Sequence, residues 1–176
     1  MSRRVLLASL SASLLMAMAF GSVSLAKADH RTVQILDNCD AASFNAVLGP
    51  GACVRPGGGT TFEKLVERLL AKGSVEAWRF SPGQVKLGAG GTITAMNRGG
   101  EFHTFTEVAA FGGGCVADLN ALLGLTPVPE CAGAPGIFGA TGVAPGGTLE
   151  TAPLAAGTHR FQCIIHPWQR TTVTAG

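Results

Sequence analysis

The chain has 176 residues, 47% apolar and 14% charged, with 25 glycines, no tyrosine and five cysteines. That length suits one domain with enough chain to bury a core. The low charge and high glycine content exclude a coiled coil, and the aliphatic content excludes wholesale disorder. The formal net charge is +2, but Arg3, Arg4 and Lys27 all precede Asp29, and from there ten Lys/Arg face 11 Asp/Glu, a net of −1. Such a near-neutral chain offers no broad field to nucleic acid or to an anionic membrane, so neither is an expected partner.

Residues 1–28 read as a secretory signal. Arg3 and Arg4 give the positive start, Val5 to Phe20 the apolar run, and Ala26-Lys27-Ala28 the small-x-small cleavage pattern. The run is short and interrupted by serines, which favours cleavage over an N-terminal anchor, and no later stretch reaches the length of a membrane span. The expected mature protein is periplasmic or secreted, a monomer with no membrane span after signal removal.

Residues 29–74 form an extension, and residues 75–176 form the main domain. From Asp29 to Gly59 the extension is punctuated by Gly and Pro and carries Cys39 and Cys53. Thr60-Thr61-Phe62-Glu63 has capping-box spacing, and Leu65, Val66, Leu69 and Leu70 follow at helical intervals, which predicts a helix over about 61–72. From Val75 onward the pattern changes to short extended runs at 75–80, 84–87, 92–97, 102–108, 158–164 and 171–174. Strands at that density predict an antiparallel sandwich. The stretch 111–147 is a long Gly/Pro-rich insertion with a possible helical turn at 116–123, and a loop of that length is usually functional or covers a site.

All five cysteines lie beyond Asp29. In an oxidising compartment thiols pair, and an odd count leaves one over. Pairing Cys39 with Cys53 and Cys115 with Cys131 is the simplest of three connectivities for those four, and the residues alone leave the choice open. Cys163 remains, in Phe161-Gln162-Cys163-Ile164-Ile165-His166. A free thiol in an exported protein needs a reason to stay unpaired, and metal ligation supplies one.

His103, Cys163 and His166 make a set of two imidazoles and one thiolate suited to copper. The soft sulfur stabilises Cu(I), while imidazole accepts both oxidation states. The two-residue gap between Cys163 and His166 lets one tight turn aim both at a single point, with His103 supplied from another strand. A rigid site limits ligand movement when the metal changes charge, as fast electron transfer requires.

Over roughly residues 75–176 the chain resembles the cupredoxins, specifically small blue copper proteins of the plastocyanin type. The resemblance rests on Trp78-x-Phe80-x-Pro82, on Gly91-Thr92 leading to Asn97, and on Phe102-His103-Thr104. Its last piece is Gly157-x-His159-x-Phe161-x-Cys163-Ile164-Ile165-His166-Pro167-Trp168. It implies an all-β, Greek-key β-sandwich, here with a short N-terminal helix and the 111–147 insertion. It further implies one type 1 copper ion per chain, cycling between Cu(I) and Cu(II). The function that follows is one-electron carriage between redox proteins that dock transiently at a solvent-facing His166 edge.

One departure stands out. Relatives with this ending commonly carry Met as the weak axial ligand where this chain has Gln169, and Met96, the one methionine after Asp29, matches no axial position. Gln is an accepted axial ligand; its harder oxygen should favour Cu(II) and lower the reduction potential. The alternative is that Gln169 points to solvent. His159 is expected to fill the core on the face of Phe161, and His30 to lie on a mobile terminus. Asn97 and Thr104 either brace the ligand loops or, for Asn97, simply turn the chain. Trp168 belongs either to an apolar docking patch or beneath the insertion, Trp78 and Phe80 to the core, and Glu63, Glu67, Arg68 and Lys72 to a solvated helix face.

Three other functions compete. A copper-binding or delivery protein without an electron-transfer role would keep the same ligands, but the chain lacks Met-rich or His-rich tracts. Multicopper oxidases and copper nitrite reductases need His-x-His pairs, which the four histidines here do not form, so no catalysis is expected; a red-copper enzyme would have to recruit Glu101 or Glu107. A metal-free sandwich used for adhesion would make the His/Cys/His set a coincidence.

Overall fold

The computed structural model describes residues 29–176; the secretory signal read at 1–28 lies outside the described residues. Two four-stranded sheets form a sandwich. The first runs in the order β2 (Arg79–Ser81), β1 (His30–Leu36), β4 (Thr92–Asn97), β8 (Thr148–Glu150). The second runs β3 (Gln84–Leu87), β10 (Arg170–Ala175), β9 (Gly157–Gln162), β6 (Thr106–Val108). A short pair, β5 (His103–Thr104) with β7 (Gly142–Val143), stands beside them.

Alternation builds the core. Val33 and Ile35 of β1 and Ile93 and Ala95 of β4 turn inward from one sheet; Val85, Leu87, Phe161, Val173 and Ala175 meet them from the other. Phe105 stacks on Phe161 with ring centroids 4.4 Å apart and meets Phe80 at 5.3 Å. Each large side chain withdrawn from water here contributes about 1.5–3 kcal/mol before chain entropy is counted.

The sandwich differs from an all-antiparallel one: β1 pairs parallel with β4, and β10 parallel with β3. Parallel neighbours need a long crossover rather than a hairpin, so no local turn signature announces them. The segment read as an extension supplies β1, an inner strand of its sheet. It also supplies α1 (Ala41–Leu48), whose N-cap Asp40 accepts the Ser43 N–H at 2.9 Å, and α2 (Phe62–Lys72). The cap of α2 is Thr61, accepting the Lys64 N–H, and Gly73 ends the helix at φ 66°, a left-handed position that suits glycine. Of the strand read at 75–80, only the last two residues are extended, and the strand runs on by one as Arg79–Ser81.

The two helices enclose a second core. Phe44 meets Phe62 edge-on at 5.4 Å and stacks over Trp78 at 5.9 Å, with Leu65, Leu69 and Val75 around them and the Cys39–Cys53 disulfide among them. The insertion carries α3 (Ala117–Leu123), a 3-10 turn at Pro129–Gly133 and α4 (Gly136–Thr141), closed by the Cys115–Cys131 disulfide. Both bridges follow the neighbour pairing, and Cys163 is free and buried.

Candidate metal centre

Cys163 immediately follows β9, and the chain then turns through His166 into β10. Two backbone hydrogen bonds close this turn: the Cys163 N–H donates to the Gln169 carbonyl at 3.1 Å, and the Gln169 N–H donates to the His166 carbonyl at 2.9 Å. His103 opens β5, where its neighbour across the pair is Val143. The turn and the strand pair thus hold their side chains from two independent elements.

Those side chains converge. Cys163 Sγ lies 3.8 Å from His103 Nδ1 and 3.7 Å from His166 Nδ1, and the two nitrogens are 3.2 Å apart. The point equidistant from the three is about 2.1 Å from each, which is the bond length first-row metals make to imidazole nitrogen and close to that for thiolate. Cys163 and His103 are fully buried, and His166 is 6% exposed. The triangle therefore suits one ion shielded from bulk water. A second cluster, Asp37, Cys39 and Glu101, offers no comparable donor set because Cys39 is in a disulfide.

The surroundings favour the thiolate. Burial pushes the Cys163 thiol up, but the facing His103 and His166 imidazoles outweigh it and hold it well below its ordinary value. The Thr104 and His166 N–H groups each point at Sγ from 3.4 Å, and Thr104 Oγ1 accepts the Ile164 N–H at 2.9 Å. Thr104 thus braces the cysteine strand through both its backbone and its hydroxyl. The Asn97 side chain hydrogen-bonds to Gly99, Glu101 and Val143 and so ties the loop that leads to His103.

Each histidine also has a carboxylate behind it. Asp37 Oδ2 lies 2.9 Å from His103 Nε2, with both side chains fully buried. Burial raises the Asp37 pKa, but hydrogen bonds from His103, Gly100 and Glu101 prevail and hold it at about 2. Burial likewise opposes charge on His103, and its contacts with Asp37 and Cys163 raise it to about 10. Glu101 Oε2 stands 3.8 Å from His166 Nε2 and accepts the Trp78 indole N–H. Burial pushes the Glu101 carboxyl up. Asp37 carries no local mark in the sequence; its one trace is Gly99-Gly100, because a Cβ at Gly99 would run into the Asp37 carboxylate.

Gln169 is fully buried rather than solvent-facing. Its Nε2 donates to the Leu36 carbonyl at 2.9 Å, while its Oε1 is buried without a hydrogen-bond partner. The His166 edge departs from the solvent-facing expectation, because α1, α2 and the insertion cover it. What is left there is an apolar groove of about 300 Å³, lined by Phe44, Leu65, Leu119, Ile165 and Trp168 together with Glu101 and His166. Trp168 meets the His166 ring edge-on at 5.4 Å and packs with the second core. His159 does not fill the core. It is partly exposed and bonds Glu107 Oε1 at 2.6 Å and the Ala155 carbonyl at 2.9 Å. Alternation points it inward, but it lies just before the β9 residues that pair with β6, where Glu107 engages Nδ1 and the Ala155 carbonyl engages Nε2. Exposed His30 sits between the Thr92 and Thr94 hydroxyls on the first sheet.

No family model matches the chain, and no curated protein matches it. Among solved structures it is similar to a purple cupredoxin from Nitrosopumilus maritimus, at 15% identity over 83% of this chain and 99% of that one, with a TM-score of 0.44. It is similar to a Cu(I) form of an amicyanin mutant, at 16% identity over 56% of this chain and 73% of that one, TM-score 0.35. Oxidized plastocyanin from Dryopteris crassirhizoma matches at 17% identity over 56% of this chain and 89% of that one, TM-score 0.36. With its two mixed sheets, its few short helices and its buried inter-sheet core, the chain is a β-sandwich, the architecture that the resemblance to cupredoxins implies.

Proposed function

We propose that this protein is an exported one-electron carrier, and not an enzyme, that holds a single copper ion between His103 Nδ1, Cys163 Sγ and His166 Nδ1. Gln169 Oε1 is the fourth, weaker donor in this reading. The observation that carries it is the triangle of one sulfur and two nitrogens with edges of 3.8, 3.7 and 3.2 Å. The orphaned Gln169 oxygen supports the fourth position, since a buried polar atom without a partner costs free energy unless something occupies it. Copper supplies the one-electron Cu(II)/Cu(I) couple, and thiolate with imidazole is the donor chemistry that suits both states.

The chain's own residues do the rest. The two N–H groups facing Sγ draw electron density from the sulfur, and the closed turn 163–169 keeps the cysteine and second histidine from separating. Near-complete burial excludes water and limits movement of the donors. That burial also speaks against a delivery protein, which must surrender its metal readily. Two disulfides support export to an oxidising compartment, periplasmic or extracellular. Redox partners would dock transiently on the groove beside His166.

The test is reconstitution with Cu(II). One equivalent should produce an intense thiolate-to-copper absorption, bleached by one electron per chain and restored on reoxidation. Copper uptake without that band rejects the proposal.

A further inference from the structure

Asp37 lies just beyond β1, and its carboxylate makes four hydrogen bonds, all as acceptor. Oδ1 takes the Cys39 N–H at 3.1 Å and the Gly100 N–H at 3.0 Å; Oδ2 takes the Glu101 N–H at 3.1 Å and faces His103 Nε2 at 2.9 Å. An ionised carboxylate has no proton to give, so His103 Nε2 must carry the hydrogen of that contact. In a neutral imidazole the lone pair then belongs to Nδ1, the atom that faces Cys163 and His166. The three backbone N–H groups fix the carboxylate in turn, and Gly99 lets the loop close against it.

Glu101 does not do the same for His166. Its oxygen stands 3.8 Å from Nε2, beyond hydrogen-bonding distance, and is engaged by Trp78. The clamp is one-sided.

We infer that Asp37 is the positioning residue of the metal centre: it selects the His103 tautomer, locks the ring, and favours the cupric over the cuprous ion. This inference rests on the copper reading proposed above. The bias toward Cu(II) follows from charge, because a buried anion one imidazole away stabilises a doubly charged ion more than a singly charged one.

The test compares wild type with Asp37→Asn, which preserves size but turns an N–H-donating amide toward groups that are themselves donors. Cu(II) affinity should fall about 10–100-fold, the range for losing such an outer partner. Cu(I) affinity should fall less, so the reduction potential rises. Equal losses for both ions, with an unchanged potential, would mean a merely structural role and overturn the inference. A second measurement needs no variant. In Cu(I)-loaded wild type, nitrogen-15 NMR should show His103 bound through Nδ1 with a slowly exchanging Nε2 proton; binding through Nε2, or rapid exchange there, overturns it. A wild type that loads copper without the thiolate band would defeat the copper reading itself, whereas a normal band with an unaffected Asn variant defeats the Asp37 role alone.

Discussion

Asn97 ties the loop on which the first histidine depends. It is fully buried; its Nδ2 donates to the Glu101 carbonyl at 2.8 Å and the Val143 carbonyl at 2.9 Å, and its Oδ1 accepts the Gly99 N–H at 2.9 Å. Val143 is the residue paired with His103, so one amide joins β4, the 98–102 loop and β7. Asn97→Ala removes three bonds and leaves their partners without this contact in a dry interior. At about 1 kcal/mol net for each, with further desolvation cost, the loss is about 3–5 kcal/mol. For a domain of this size that lowers Tm by roughly 6–20 °C. Asn97→Asp retains the bond from Gly99 but sets a carboxylate oxygen against two carbonyls, so it should be at least as damaging at neutral pH. Urea denaturation, read with an unchanged slope, measures both. An alanine variant within 1 kcal/mol of wild type, or an aspartate variant as stable as wild type, would refute the reasoning.

Gly99→Ala places a methyl group against the Asp37 carboxylate; stability should fall by about 1–3 kcal/mol, with weaker Cu(II) binding, and a variant matching wild type in both would contradict the close approach. Gln169→Met exchanges an amide oxygen for a softer thioether, so the reduction potential should rise in voltammetry; an unchanged potential and EPR spectrum would remove Gln169 from the site. His159 faces two acceptors, and its bond to the Ala155 carbonyl, with help from Glu107, raises its pKa above 6.5. A raised value means that its contribution is complete below the ordinary histidine pKa and is lost as pH climbs through the folded one. The Tm gap between wild type and His159→Gln should therefore narrow from about pH 5 to about pH 9, and a constant or widening gap would show that the charged ring contributes nothing.

What could be read in the residues was local. The two-residue spacing of Cys163 and His166 is set by one turn, and the odd cysteine count followed from compartment and arithmetic. The helix at 62–72 showed its periodicity, and its Gly73 stop was plain. What could not be read depended on contacts distant in sequence. Val33 and Ile35 alternate as strand residues should, but a lone strand beside a signal-like segment gives no hint of a parallel partner 62 residues on, as in Gln34 with Met96. Asp37 looks like any loop aspartate until folding brings Gly100, Glu101 and His103 to it. Part of the cover over His166 comes from α1 and α2, and α1 is too short and too apolar to show a clear helical stripe.

X-ray absorption at the copper edge of reconstituted protein tests the central claim most directly. One short bond to sulfur together with two imidazole nitrogens is the expected first shell, lost in sulfur content when Cys163 is replaced by Ser. A shell of nitrogen and oxygen alone in wild type would contradict it.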